Sequence, residues 1–331
     1  MGKNHVYCLI RIVWSSDRCL KNDFAMEVLV LKIIVLMSAY NGEAYIRQQI
    51  DSVLNQDIGA QLQLLVRDDG SADATRAILE KYQSAGKLRW YAGENLGPAR
   101  SFWHLLRNAP EGDYYAFCDQ DDVWLPEKLS RAVTQLREND AALYCSAFIP
   151  TDGELNPIEY HHSPLNRYTD YAHSLIYSTA AGCTFVFTQD ARKTAMDYDM
   201  DVYPPIIHDW LLHKIVTITG GKMIFDPVGS LYYRQHGNNT IGAQKSGLQG
   251  LAARVKRFLS GGSRGVRSGC AKALLEVYGS RVEEDVREAL DLVGNYPECP
   301  QKRKKLLKDP RFCTGTVNDL FFRCLVRLKA L

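Results

Sequence analysis

Four short apolar runs, each closed by a polar cluster or turn and followed by a helical pattern, constrain this chain more than any other feature. Ile33–Met37 is a continuous apolar run rich in β-branched residues; Leu62–Val66, Leu88–Tyr91 and Tyr114–Cys118 are mostly apolar and read as the second, third and fourth strands, although Gln63 and Arg89 interrupt two of them. Runs of this kind suit strands buried on both faces. Tyr40-Asn41-Gly42 ends the first run, and a helix is predicted over 43–55, with Ile46, Ile50, Val53 and Leu54 on one face. Asp68-Asp69-Gly70-Ser71 ends the second, before a helix over Ala72–Tyr82. Gly97-Pro98 opens a helix carrying Phe102, Leu105 and Leu106, and Asp119-Gln120-Asp121-Asp122 ends the fourth run. Strand–helix alternation with buried strands predicts an α/β fold, a mostly parallel sheet flanked by helices. In such sheets ligands sit beyond the carboxyl ends of the strands. The three polar clusters fall there, so they are expected to build one site.

Further along, the pattern predicts a helix over Glu127–Glu138, a strand over Leu143–Ile149, a loop over 150–170 and a strand over Gly182–Phe187. A helix is expected from His208 to about Ile218, then a β pair formed by Lys222–Phe225 and Ser230–Tyr233. Glycine-rich stretches at 237–250 and 260–269 read as a linker into a basic helical remainder. The organisation expected is therefore an extension over 1–30, poorly ordered or upstream of the true start, a catalytic domain over 31–240, and a helical C-terminal region over 241–331.

Charge separates along the chain. Residues 251–331 carry 17 Lys and Arg against 9 Asp and Glu, whereas residues 1–250 carry 23 against 29. An acidic body suits a bound cation, and a basic tail suits an anionic surface or a solvated helical face. With 331 residues, 46% hydrophobic and 24% charged, the chain is neither disordered nor a multi-span membrane protein. No nucleic-acid partner is expected. Val28–Met37, interrupted by Lys32, is far shorter than the roughly 20 residues that span a bilayer, and the first 25 residues make a poor signal peptide. The nine cysteines are odd in number and lack a C-x-x-C. Cys118, Cys145 and Cys183 lie in apolar runs as small core residues, and a reducing, cytoplasmic setting is expected.

Three carboxylates within four residues repel one another unless a cation neutralises them. Asp119 and Asp121, as alternate residues at a strand end, can share a face, and hard oxygen ligands suit Mg²⁺ or Mn²⁺. The competing reading is a solvated acidic turn with Asp122 capping the next helix, but the apolar frame of Cys118 and Val123-Trp124 makes bare carboxylates expensive. Asp69 suits a ribose hydroxyl or a base N–H, or else turn chemistry. Tyr40 offers a flat ring. Asp209, after His208 at a helix start, is either an N-cap or a general base. Arg234 suits a diphosphate, and His236 suits a metal or a structural hydrogen bond.

The order of these clusters resembles the family 2 glycosyltransferases of GT-A fold, and among them the rhamnosyltransferase-like enzymes. The matching text is Met37-Ser-Ala-Tyr-Asn-Gly-Glu43, Val66-Arg-Asp-Asp-Gly-Ser71, Asn95-Leu-Gly-Pro98, Asp119-Gln-Asp-Asp-Val-Trp124, His208-Asp-Trp210 and Tyr233-Arg-Gln-His-Gly-Asn-Asn239, across about residues 31–240. The resemblance implies a Rossmann-like catalytic domain with a helical C-terminal extension. It implies that Ser38 and Tyr40 line the base pocket and that Asp69 bonds the base or ribose. It further implies that Asn95 and Gly97 lie near the nucleotide sugar, that Asp119 and Asp121 hold the divalent ion with His236 beside it, and that Arg234 closes on the diphosphate. Asp209 takes the place of the base that deprotonates the acceptor hydroxyl, with His208 where relatives often carry Glu. The implied reaction is inverting transfer of a sugar from a nucleoside-diphosphate donor to a hydroxyl of a glycan or lipid-linked acceptor, in cell-surface polysaccharide synthesis. The subgroup implies a deoxythymidine-diphosphate rhamnose donor.

Three other readings compete. Asp119-x-Asp121-x-Val123 also fits a haloacid-dehalogenase-type phosphatase, but that motif belongs on a first strand. A nucleotidyltransferase would need a glycine-rich phosphate loop after the first strand, which is missing here. The third is a sugar-nucleotide-binding scaffold with a dead site. The basic tail ending at Leu331 is expected either to lie on the inner face of the cell membrane or to pack on the catalytic body or on a second protomer.

Overall fold

The computed structural model describes residues 8–9, 29–159, 164–177, 180–203, 206–236, 265–316 and 318–331. Cys8–Leu9 (β1) pairs antiparallel with Leu29–Val30 (β2); the rest of the expected N-terminal extension, and most of the expected glycine-rich linker, lie outside the described residues. The central sheet has eight strands. They are β3 (Lys32–Ala39), β4 (Gln61–Asp68), β5 (Arg89–Ala92), β6 (Tyr114–Asp119), β7 (Val123–Trp124), β8 (Leu143–Thr151), β9 (Val186–Thr188) and β10 (Met223–Arg234), in the order β5-β4-β3-β6-β9-β8-β10-β7. The β5-β4-β3-β6 half is parallel, as are β8 and β10, whereas β9 and β7 run antiparallel to their neighbours.

Alternation along the buried strands sends side chains to two cores, one on each face of the sheet. Ile33, Val35 and Met37 of β3 meet Ile46, Ile50 and Val53 of α1 (Ile46–Leu54), with Ile78 of α2 (Thr75–Ser84) and Leu129 and Val133 of α4 (Lys128–Glu138). Ile34 and Leu36 face the other way. They meet Phe102, Leu105 and Leu106 of α3 (Pro98–Asn108), with α5 (Tyr171–Ile176), α6 (Gln189–Ala195) and α7 (His208–Ile218) behind them. The helical C-terminal region, α8 (Val266–Tyr278), α9 (Glu284–Asn295), α10 (Pro300–Leu306) and α11 (Asn318–Arg327), buries Leu274, Tyr278, Leu290, Phe322, Val326 and Leu331 in that second core. The helix α8 begins at Val266, inside the stretch expected as linker. No helix among the described residues is long and apolar enough to cross a membrane.

Two elements differ from expectation. The segment read as a strand over 182–187 is a 3-10 turn at Gly182–Thr184 followed by the short β9. Its backbone bonds locally, Thr184 N–H to Ala181 O at 3.0 Å and Phe185 N–H to Gly182 O at 2.9 Å, and the Gly182 N–H goes to a side chain instead of a ladder. The expected β pair over 222–233 is one strand, β10, with register shifts around Asp226 and Gly229. Asp226-Pro227-Val228-Gly229 resembles a turn, but Asp226 is buried on Arg131 and on the Tyr144 hydroxyl (2.9 Å). A Cβ on Gly229 would stand 2.7 Å from Ile149 Cγ1, so the strand runs on past its neighbour at a bulge.

Candidate active site

The carboxyl edge of β4-β3-β6 carries the three clusters. Ser38 sits opposite Asp119 in the register of β3 and β6, and its hydroxyl lies 2.6 Å from that of Ser101 on α3. The Gln120 side-chain amide grips the Tyr40 backbone from both sides, accepting from its N–H at 2.9 Å and donating to its carbonyl at 2.8 Å. The Tyr40 ring is left 47% exposed, a flat surface at the strand end. Asn41 adopts φ +46°, a left-handed conformation that Asn tolerates. It takes Ser71 Oγ on its N–H and the Ala72 N–H on its Oδ1, tying the first cluster to the second.

Asp69 is only 2% exposed. It pairs with Arg67 and accepts the N–H groups of Leu96 and Gly97, each at 2.9 Å. These bonds fold the Asn95–Gly97 loop against β4, so the carboxylate expected on a base or ribose is engaged in placing that loop. Gly97 turns there at φ +76°, a region open to glycine. Asn95 packs where Gly70 lacks a side chain: a Cβ on Gly70 would lie 3.2 Å from Asn95 N.

The acidic cluster divides its labour. Ligand atoms of Asp119, Asp122 and Cys183 lie within 4.8 Å of one another. Burial raises both carboxyls above the ordinary Asp range, and the charge of Asp121 raises them further. Asp122 accepts the Arg234 N–H at 3.2 Å through Oδ1, while its buried Oδ2 has no hydrogen-bond partner among the described residues. Asp122 is therefore no helix cap; the residue before α4 is Glu127. Asp121 faces His236 at 2.8 Å, and the His236 ring stacks on Tyr45. Repelling carboxylates with a buried, unpartnered oxygen fit a hard divalent cation. Burial keeps the Cys183 thiol protonated, so the oxygens are the ligands that fit.

Arg234 is buried. Its guanidinium lies 4.5 Å above the Tyr45 ring and donates to the carbonyls of Asp121 and Gly153 and to Gln48 Oε1. It holds the acidic loop and β10 together. Lys128, also buried, donates to Cys183 O at 2.9 Å and lies over the Trp124 ring; burial pulls its ammonium down to about 8. Its charge, when protonated, opposes the upward shifts of Asp119 and Asp122.

Asp209 occupies the first turn of α7. Its Oδ2 accepts the Gly182 N–H at 2.9 Å and its Oδ1 the Trp210 N–H at 2.7 Å. Burial lifts its carboxyl to about 6, held from going higher by those two N–H groups. Its charge in turn raises Asp119, so this carboxylate lies within electrostatic reach of the acidic cluster. His208 stacks on Phe102 at 4.0 Å and meets Phe117 edge-on; burial alone drives it down to about 3, so it is a neutral packing ring.

The expected residues thus gather along one edge. Asp119, Asp121, Asp122 and Asp209 share one acidic centre, with His236 on Asp121, while Ser38 joins the Ser101–Arg67–Asp69 network beside it and Asp69 and Arg234 hold the loops that frame it. Sequence reasoning gave no site role to Arg67, Ser101, Lys128 or Cys183, and offered Asp122 as a helix cap only in the reading that competed with a metal site. The one local signal was the spacing of Lys128 six residues after Asp122 at the start of an expected helix.

The sequence profile of Glycosyl transferase family 2 matches residues 34–193. The chain is 27% identical over 238 residues to the dTDP-rhamnosyl transferase RfbG of Shigella flexneri, covering 67% of this chain and 78% of that one. Among solved structures, S. aureus TarS 1-349 in complex with UDP superposes with a TM-score of 0.55 at 16% identity, covering 90% of this chain and 88% of that one. TarS 1-349 in complex with UDP-GlcNAc superposes at 0.53 and 19% identity, covering 89% and 81%. At such identity the likeness to TarS is one of fold, the GT-A fold of a mostly parallel sheet flanked by helices. Profile, relative and fold agree with the ordered clusters on the sheet edge, and the chain is a glycosyltransferase similar to family 2 over residues 34–193.

Proposed function

We propose that this enzyme moves a hexose, rhamnose in the first instance, from a nucleoside-diphosphate donor to a hydroxyl of a glycan or lipid-linked acceptor, with inversion at the anomeric carbon. The observation that carries the reading is the single base, Asp209, fixed by two backbone N–H groups beside the Asp119–Asp122 cluster. The similarity to a dTDP-rhamnosyl transferase supports the donor, and Tyr40 offers its exposed ring to the base. Asp119 and Asp122 would hold a divalent cation, Mn²⁺ or Mg²⁺, with Asp121 and His236 beside it; when bound, such an ion neutralises a diphosphate leaving group. Asp209, ionised above pH 6, takes the proton of the acceptor hydroxyl as its oxygen attacks the anomeric carbon and the bond to the diphosphate breaks. One displacement with one base inverts the centre, without the nucleophilic carboxylate that retaining glycosidases add. The test is a donor screen with nucleoside-diphosphate release measured with and without Mn²⁺ or Mg²⁺, and the product's anomeric configuration read by NMR. A retained configuration refutes the mechanism.

The same reading includes peripheral contact with the inner face of the membrane. The outward face of α11 and the turn just after it presents Leu320, Arg323, Cys324, Arg327 and Leu328, the two leucines 67% and 57% exposed. Apolar residues interleaved with arginines suit an anionic lipid surface. Flotation with phosphatidylglycerol vesicles is expected to depend on Leu320 and Leu328; equal flotation of L320S/L328S refutes the contact.

A further inference from the structure

Lys128 stands where a lysine is costly. It is the first residue of α4 and fully buried, so both desolvation and the positive end of the helix work against its charge. A methionine of similar length would fill the same space. What the ammonium touches is specific. It donates to Cys183 O at 2.9 Å and lies 4.6 Å from the centre of the Trp124 ring, and the carboxylates whose charges act on it are Asp122 and Asp119.

Cys183 is the middle residue of the Gly182–Thr184 turn, whose first N–H holds Asp209. One short 3-10 turn has poor hydrogen-bond geometry and does not fix its own position. Three other elements fix it. From β8 the Ser146 N–H reaches Thr184 Oγ1 at 3.3 Å, from α4 Lys128 reaches Cys183 O, and from α7 Asp209 Oδ2 takes the Gly182 N–H at 2.9 Å. The Ser146 bond is long, whereas the Lys128 bond is shorter and charge-assisted. Taking the assignment of Asp209 as the base in the sugar-transfer reading above as its basis, we infer that Lys128 is a positioning residue for the transfer step: its ammonium, drawn by Asp119 and Asp122, anchors the Gly182–Thr184 turn and through it places Asp209. The acidic cluster on β6 and the base on α7 are thereby joined through one side chain of α4. Lys128 exchanges no proton with the substrate; its loss moves the base.

The test is a double-mutant cycle in the full chain. Lys128→Met keeps the apolar stem and removes the charge and the N–H donor. With Asp209 in place, kcat is expected to fall at least about tenfold while the donor KM stays within about threefold of the parent. In an Asp209→Asn background the same substitution is expected to change kcat by less than about threefold, because the group it places is already gone. A general loss of structure would lower kcat in both backgrounds. Hydrogen exchange of the protein alone gives a readout apart from turnover: the Gly182, Thr184 and Phe185 amides are expected to exchange faster in Lys128→Met than in the parent. Should Lys128→Met fail to fold by circular dichroism, Lys128→Gln, shorter and uncharged, has the same expectations. A folded variant with kcat within about threefold of the parent overturns the inference, as does an equal loss in both backgrounds or unchanged exchange of those amides. An Asp209→Asn enzyme as active as the parent overturns the base assignment and this inference with it; an Asp209→Asn enzyme that has lost turnover, on which the Lys128 loss is additive, overturns this inference alone.

Discussion

Gly182→Ala tests whether Asp209 is placed by its surroundings. A Cβ built on Gly182 stands 2.8 Å from Asp209 Cβ, 3.0 Å from His208 Nε2 and 3.1 Å from Asp209 Oδ2. Carbon–carbon contacts settle at about 3.5–4.0 Å, so roughly 1 Å of movement is required. His208 cannot supply it, wedged as it is between Phe102 and Phe117. The movement falls on Asp209, and its bond to the Gly182 N–H goes with it. A base misplaced by about 1 Å loses on the order of a hundredfold in rate, and the overpacking costs about 1–3 kcal/mol of stability. The expected result is a roughly hundredfold fall in kcat, nucleoside-diphosphate affinity unchanged, and the acid limb of the rate profile moved to higher pH, because that N–H holds the carboxyl down. In an Asp209→Asn background the same substitution adds no further loss, since the group it displaces is already gone. A folded Gly182→Ala enzyme with kcat within about threefold of the parent refutes the argument.

Other outcomes follow from the same geometry. The parent kcat/KM is expected to fall as pH drops through about 6, because protonated Asp209 accepts no proton; Asp209→Asn should lower kcat by about 10²–10⁴ and abolish that limb, and a limb that persists assigns it to another group. Asp122→Asn removes the buried unpartnered oxygen, so the Mn²⁺ or Mg²⁺ concentration giving half-maximal rate should rise by at least about tenfold; an unchanged metal titration removes Asp122 from the ligand set. Arg67→Met strips a buried carboxylate of its charge partner, and urea unfolding should show a loss of about 3–5 kcal/mol; a loss below about 1 kcal/mol would mean that the Leu96 and Gly97 N–H groups alone satisfy Asp69.

Much of the architecture was legible in order along the chain. Continuous apolar runs specify strands buried on both faces, and the alternation of Ile33, Val35 and Met37 with Ile34 and Leu36 across two cores follows from strand geometry alone. The same local rules put Tyr40, Asp68-Asp69 and Asp119–Asp122 at strand ends, and hence on one edge. Asp226-Pro227-Val228-Gly229 was misread because turn chemistry is local, while the contacts that keep β10 running, Arg131 and Tyr144 on Asp226, come from other elements.

The division of labour within the site belongs to the tertiary structure. Asp121 meets His236 across 115 positions, Asp122 meets the Arg234 N–H across 112, and Asp209 meets Gly182 across 27. Residue type and local spacing decide which side chains reach the edge; strand order and register decide which of them touch. That is why the acidic residues were visible as a cluster, yet their separate partners, the buried Lys128 and the role of Asp69 in holding a loop emerged only when β6, β10 and α7 were brought side by side. Hydrophobic periodicity is a property of neighbours in sequence, and a buried ion pair or a shared N–H is a property of neighbours in space.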